Sequence, residues 1–360
     1  MKDLKKILII VQRSNGDVFL SLSLIKQLYD FYDSPEIDLL VNSDTIAVAR
    51  IIPHINCIYT FSYEMKKNQR WKQEKEIIQK IFRKYDLSIN LTASDRSVLY
   101  ALLASKYSIG CREENKKLAW WKNLLLKHSF TWNIERHILL NNLEPLRFLN
   151  IKTIKKQPAP TINLEDISEI KNRLKNQNID KFLIFHPSAQ YNFKLYPKNL
   201  RNELLSLLNQ LNINIIVTGG NNQIDLEIKN NLPHLDNIFN WIGQTSIKEY
   251  VALSRLSLGY IGMDTLNMHI AAAQNKRVFA IFGSTRLSMW SPWSNKLQSS
   301  AKIDMPVQSY DNITIFQANM PCVACGKAGC NNKGLSECLD NISPQVIANE
   351  IVKWLKNVRN

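Results

Sequence analysis

Strand-length apolar runs alternate with helix-length amphipathic runs along nearly all of this 360-residue chain, and that alternation admits few folds. In the first half, residues 7–11, 37–41, 57–61 and 87–91 read as strands, and 18–32, 45–51, 65–83 and 96–104 as helices. In the second half, strands at 182–185, 213–217 and 238–242 alternate with helices at 164–176, 225–231 and 247–256. Such a pattern predicts βαβ units and parallel sheets, hence an α/β fold. Between the halves Lys155 to Pro160, KKQPAP, has two prolines and no apolar period, as a linker does. A chain of this length exceeds one ordinary core. We therefore expect domains over 1–158 and 159–343, with their sheets' carboxyl ends facing a central cleft. A terminal amphipathic helix over 344–360, with Trp354 on its apolar side, is expected to pack back across them.

The most informative single stretch is Ser257 to Trp290. An apolar strand stops at Gly262, Asp264 stands as N-cap of a helix over 265–273, and a second strand over 278–282 ends in Gly283-Ser284-Thr285. Two strand ends then present polar loops at one sheet edge, where open α/β sheets bind ligands. A helix N-terminus with free N–H groups suits a phosphate. Three further loops join it in the second half: HPSAQYNFKLYPK at 186–198 with Ser188 and Lys194, Thr218-Gly219-Gly220-Asn221, and Gly243-Gln244-Thr245-Ser246. Glycines at 219 and 220 allow a backbone to approach a ligand closely. Convergence of four such loops describes a nucleotide or nucleotide-sugar site.

The first strand leads into Ser14-Asn15-Gly16-Asp17, which is neither GxGxxG nor the GxxxxGK phosphate loop. Asp17 is open to two readings, a plain helix cap or a carboxylate at a ligand edge. Thr92 to Arg96, TASDR, brings Ser94 and Arg96 to the same edge. Charge is +15, from 46 Lys and Arg against 31 Asp and Glu, which favours an anionic partner. Nucleic acid is not the choice, since no recognised nucleic-acid-binding motif stands out. No apolar run approaches the roughly 18 residues of a membrane span, and the N-terminus lacks the longer apolar region of a secretory signal. A cytoplasmic protein is expected. Arg112 to His128, with Trp120-Trp121 and three leucines, reads either as a face for an anionic membrane surface or as a helix packed on its own domain.

Taken together, SNGD at 14–17, HPSAQ…KLYP at 186–197, TGG at 218–220, IGQTS at 242–246, GMDTLNMH at 262–269 and FGST at 282–285 resemble the bacterial ADP-heptose:lipopolysaccharide heptosyltransferases of glycosyltransferase family 9. The resemblance implies two Rossmann-like domains in the GT-B arrangement. It also implies an inverting enzyme that moves heptose or a related sugar from an ADP-sugar donor to a lipopolysaccharide core acceptor, without a cofactor. Asp17 then matches the general base, with Asn15, Gly16, Ser94 and Arg96 near the acceptor. Lys194 matches the lysine facing the donor diphosphate, joined on the donor side by Ser188, Gly219, Gly220, Asp264, Thr265, Leu266 and His269. The family usually has glycine after Asp-Thr, and Leu266 occupies that place. Its Lys-x-Trp-Pro is Lys194-Leu195-Tyr196-Pro197 here. An enzyme of this kind works in the cytoplasm, in peripheral contact with the inner membrane. Two alternatives stay open: transfer to a protein or other glycan, and a non-catalytic nucleotide-sugar-binding protein.

Four of six cysteines, Cys322, Cys325, Cys330 and Cys338, form a C-x2-C-x4-C-x7-C array. In a cytoplasmic chain thiols stay reduced, so the array reads either as a structural zinc or iron site or as free thiols.

Overall fold

The computed structural model describes residues 4–331 and 334–359, and its contacts divide into two units, Met1–Thr161 and Ile162–Asn360. In the first, strands β1 (Lys6–Val11), β2 (Glu36–Asn42), β3 (Cys57–Phe61), β4 (Leu87–Asn90), β5 (Ser108–Arg112) and β6 (His128–Thr131) form one sheet in the order β3-β2-β1-β4-β5-β6. Every pairing is parallel. The order reverses between β1 and β4, so the loops after these two strands border the crevice that doubly wound sheets use for ligands. Helices α1 (Asn15–Leu20), α2 (Leu22–Phe31), α3 (Arg70–Ile81), α4 (Asp95–Ala104) and α5 (Lys116–Leu125) connect the strands. Leu8, Ile10, Leu40 and Phe61 from the sheet meet Ile77, Ile81 and Tyr100 from the helices in a fully packed core.

The second unit has seven strands in the order β12-β13-β11-β10-β7-β8-β9. They are β7 (Phe182–His186), β8 (Asn214–Val217), β9 (Ile238–Asn240), β10 (Gly259–Met263), β11 (Arg277–Ile281), β12 (Val307–Tyr310) and β13 (Ile313–Phe316). All pair in parallel except β12, an antiparallel edge strand on β13. Helices α6 (Leu164–Asn176), α7 (Lys198–Asn209), α8 (Gln223–Asn230), α9 (Ile247–Leu256), α10 (Leu266–Ala273) and α11 (Pro344–Arg359) flank the sheet. Here the order reverses between β7 and β10, which makes their loops the crevice of this unit. Helix α11 belongs to the second unit: Ile347, Ile351 and Leu355 enter its core, and Trp354 meets Phe279 edge-on at 5.7 Å.

Several local expectations shift. The helix expected over 18–32 is two, divided at Ser21, whose Oγ donates to Val18 O at 2.7 Å and so competes with the helical ladder. The helix expected over 65–83 breaks at Gln69. Residues 112–128 are a strand end, a helix and a strand start, and β5, β6, β12 and β13 were absent from the sequence pattern. Each of these four is only four or five residues long, too short to show a period against its neighbours.

The β7–β10 pairing demands a glycine. Gly262 sits opposite His186 in the register, and a Cβ on it would lie 2.3 Å from the His186 carbonyl oxygen. Backbone atoms cannot yield as a flexible side chain can. Gly262→Ala should cost about 1–3 kcal/mol, the usual range for forced overpacking. It would appear as a lower urea midpoint for the purified protein; an unchanged midpoint would contradict the reading.

Candidate active site

In the first unit, β1 delivers Gln12 and Arg13 to the sheet edge, and α1 begins immediately after Ser14. Asp17 lies in the first turn of α1 rather than at its cap, and it is 4% exposed. Arg13 Nε stands 2.7 Å from Asp17 Oδ1, while Ser14 Oγ donates to Asp17 Oδ2 at 2.5 Å. Arg13 is itself held over the Trp132 ring, 4.5 Å from its centre. The carboxylate is thus buried, charge-balanced and fixed in orientation. Next to it, Gln12 Nε2 and Asn15 Oδ1 are buried without hydrogen-bond partners among the described residues. Buried polar atoms are normally paired, so these two mark a place where another molecule's polar groups fit.

Arg96 stands at the same edge, in the first turn of α4. Its guanidinium lies 3.5 Å over the Phe61 ring and reaches Gln12 Oε1 at 3.5 Å and Tyr63 Oη at 3.3 Å. Ser94 takes a different part: it caps α4, accepting from Ser97 N–H at 3.3 Å. The start of α4 is anchored by Lys122 of α5, whose side chain is 0% exposed. Lys122 Nζ donates to Ala93 O and Glu113 Oε1, both at 2.6 Å, and pairs with Asp95 Oδ1 at 2.7 Å. One cation of the basic 112–128 stretch is therefore internal. The apolar residues of that helix are partly external: Trp120 is 64% exposed and Leu124 74%.

In the second unit, Asp264 follows β10 and its N–H donates to Ile281 O of β11 at 3.2 Å. The N-cap of α10 is Thr265, one residue later than the sequence indicated, and Leu266 opens the helix. Asp264 is left free of capping, and its Oδ2 meets Lys194 Nζ at 2.7 Å. Lys194 comes from the short turn after β7. Behind the pair lies His269, one helical turn into α10 and 3% exposed. Burial pulls its pKa down to about 4; the charge of Asp264 works against that shift and that of Lys194 with it. His269 is a neutral imidazole at pH 7, and its Nδ1 has no partner among the described residues. Lys194, Asp264, Thr265 and His269 are thus brought together. Ser188 is buried on the same β7 loop.

His186 and Asn267 were missing from the residues singled out in the sequence, although both lie inside quoted motifs. Asn267 Nδ2 lies 3.0 Å from His186 Nδ1 and 3.1 Å from Nε2, and Thr218 Oγ1 lies 3.0 Å from Nδ1. Burial lowers the His186 pKa to about 4, so a neutral ring ties together the loops after β7, β8 and β10. The glycine pair also has a structural occupant. Cβ atoms on Gly219 and Gly220 would stand 2.8 and 2.9 Å from the Asp225 carboxylate, which forms a capping box with Asn222 at the start of α8. The space those glycines leave is filled at least in part by the protein itself.

For the cysteine array the sequence leaves a structural metal and free thiols both open. Among the described residues no group of three or more His, Cys, Asp and Glu side chains is arranged to hold an ion. All six thiols are free, Cys322 and Cys325 are exposed, and Cys338 is buried in the second unit's core. Burial, with the other three thiols adding, pushes Cys338 up to about 11. The segment is instead tied to the strand edge: Ser284 Oγ donates to Lys327 O, and Gly326 N–H to Ser284 O, both at 2.8 Å.

This fold recurs in known proteins. The Escherichia coli protein named lipopolysaccharide heptosyltransferase 3 is 26% identical over 300 residues, covering 79% of this chain and 85% of that one. A solved glycosyltransferase family 9 structure from Veillonella parvula superposes with a TM-score of 0.76 at 16% identity, covering 97% of both chains. The structure of E. coli ADP-heptose lipopolysaccharide heptosyltransferase II gives 0.73 at 19% identity, covering 99% of this chain and 100% of that one. The fold is accordingly the GT-B fold of such enzymes. The profile described as Glycosyltransferase family 9 (heptosyltransferase) matches residues 75–317, and the chain belongs to that family.

Proposed function

We propose that this protein transfers heptose, or a closely related sugar, from an ADP-sugar to an acceptor in the lipopolysaccharide core, with inversion at the anomeric carbon. The observation that carries the reading is the Lys194–Asp264 pair at the start of α10. It sets a cation and free helix N–H groups beside a buried, unpartnered imidazole nitrogen, a combination suited to a diphosphate. The names of the E. coli relatives, which specify ADP-heptose and lipopolysaccharide, support the donor and acceptor classes.

In this mechanism the first unit binds the acceptor and the second binds the donor. The acceptor hydroxyl oxygen attacks the anomeric carbon and its proton passes to Asp17. The bond from that carbon to the phosphate oxygen breaks, and ADP leaves with the electron pair. Lys194 offsets the charge that gathers on the leaving diphosphate. Arg13 balances Asp17 and holds its orientation, and Arg96 stands near the acceptor. No metal or redox group enters these steps.

Asp17→Ala should lower turnover roughly 10²–10⁴-fold, the range of a lost general base, while leaving ADP affinity unchanged. Product formation and ADP titration measure the two separately, and normal turnover would remove Asp17 from the mechanism. Lys194→Ala should reduce kcat/KM for the donor by roughly 10²-fold. A donor panel read by mass spectrometry, with ADP-heptose first and core oligosaccharide as acceptor, tests the substrate assignment; transfer only to protein or to another glycan would replace it.

A lipid-linked acceptor also gives the α5 surface a purpose. Exposed Trp120 and Leu124 lie four residues apart on one side of the helix, near exposed Lys117 and Lys127. The positive charge is concentrated in the first unit, which has 26 Lys and Arg against 16 Asp and Glu. Apolar anchors beside cations suit an anionic bilayer. Trp120→Ala with Leu124→Ala should abolish cosedimentation with phosphatidylglycerol vesicles and leave transfer to a soluble core oligosaccharide intact. Undiminished vesicle binding would exclude this face.

A further inference from the structure

A cavity of about 320 Å³ opens in the second unit at the start of α7, lined in part by the turn that carries Lys194. That volume is at the lower end of the range for small-molecule sites, roughly 300–1,000 Å³. Its apolar walls come from Leu195, Pro197, Ile224 and Ile228. Two polar groups converge on it, Arg201 and Ser336, and both are 5% exposed.

Arg201 is out of place for the fold alone. The buried face of α7 runs Arg201, Leu204, Leu205, Leu208, so a guanidinium stands where helical periodicity calls for an aliphatic side chain. Its only side-chain hydrogen bond is from Nε to Asn202 Oδ1 at 3.3 Å, and it forms no ion pair among the described residues. Burial lowers its pKa and the charge of Glu227 raises it, yet arginine remains a cation in proteins. An unpaired buried cation is costly, and its planar fork is the group that best matches a tetrahedral oxyanion. Ser336 Oγ is buried with no partner among the described residues. Lys198 adds a cation at the rim, and the rim carboxylates Glu227 and Asp340 are solvent-exposed.

We propose that this cavity is a binding site for a small organic phosphate, held by Arg201 and Ser336 with its apolar body against Leu195, Pro197, Ile224 and Ile228. The site is separate from the donor position at Lys194, but its wall is the same 192–197 turn. A bound phosphate stiffens the turn that carries Lys194, so occupancy acts on the transfer reaction. That last consequence rests on the proposed function, whereas the binding itself does not.

Phenyl phosphate is the probe, titrated calorimetrically into the full chain. Wild type and Lys194→Ala should bind it with one saturable site of equal affinity. Arg201→Gln should weaken binding about tenfold or more, as loss of a charge-assisted hydrogen bond does. Ile224→Trp, which fills the cavity from its rim and keeps Arg201, should abolish it. ADP binding should persist in both cavity variants, which shows that they fold and keeps failure of this site distinct from failure of the donor reading. Absence of binding to wild type, equal affinity in Arg201→Gln or in Ile224→Trp, or loss in Lys194→Ala would each overturn the proposal.

Discussion

The close parallel approach of β7 and β10 is the constraint on which the rest of the second unit depends. At Gly262 the backbone has φ +156°, which would turn a Cβ against the His186 carbonyl, so no side chain fits, and the pairing lets the loops after both strands share partners. Lys194 leaves the β7 loop and finds Asp264 on the β10 loop; Asn267 leaves α10 and finds His186 at the end of β7. A wider spacing would strand a lysine and a carboxylate in a partly buried crevice, each at a desolvation cost of several kcal/mol. Backbone geometry and site electrostatics are one arrangement here.

The two units solve a common problem by different means. Each keeps a nearly buried carboxylate at a switch point in strand order, and each sets a cation against it at 2.7 Å. In the first unit the cation is Arg13, four residues before Asp17, fixed from behind by the Trp132 ring. A local pair of this kind forms as soon as α1 forms. In the second unit Lys194 is 70 residues from Asp264, so the pair exists only when the sheet is assembled. Lysine, a flexible point cation, is the better choice where a ligand must compete for the charge; arginine's rigid fork suits a carboxylate that must keep its orientation.

Much of this was legible in the sequence because it depended on local pattern. Alternating runs gave the α/β class, KKQPAP fell at the division of the chain, and GMDTLNMH marked the turn into α10. Features that depended on tertiary packing were not legible. Lys122 sits in a stretch whose basic composition reads as surface, yet it is wholly buried because Asp95, Glu113 and Ala93 O surround it. Gly219 and Gly220 read as room for a ligand, and that room is shared with Asp225, six and five residues further on. His186 carried no helical or strand-period signal of its own; its importance comes from two neighbours, 32 and 81 residues away.

The cysteine segment shows why spacing alone did not decide its chemistry. Four thiols satisfy the count for a tetrahedral site, and coordination also requires thiolates that converge. Here the last cysteine is drawn into the core beside Leu339 and Ile342, while the first two face solvent. Hydrophobic burial fixes Cys338, and the other three thiols are near enough to act on it electrostatically. What holds the segment is backbone: Ser284 at the end of β11 exchanges hydrogen bonds with Gly326 and Lys327. The loop after β11 thus anchors this segment, and Leu335 and Ser336 at its far end line the Arg201 cavity. The end of the cysteine segment thus forms part of the wall of a second pocket.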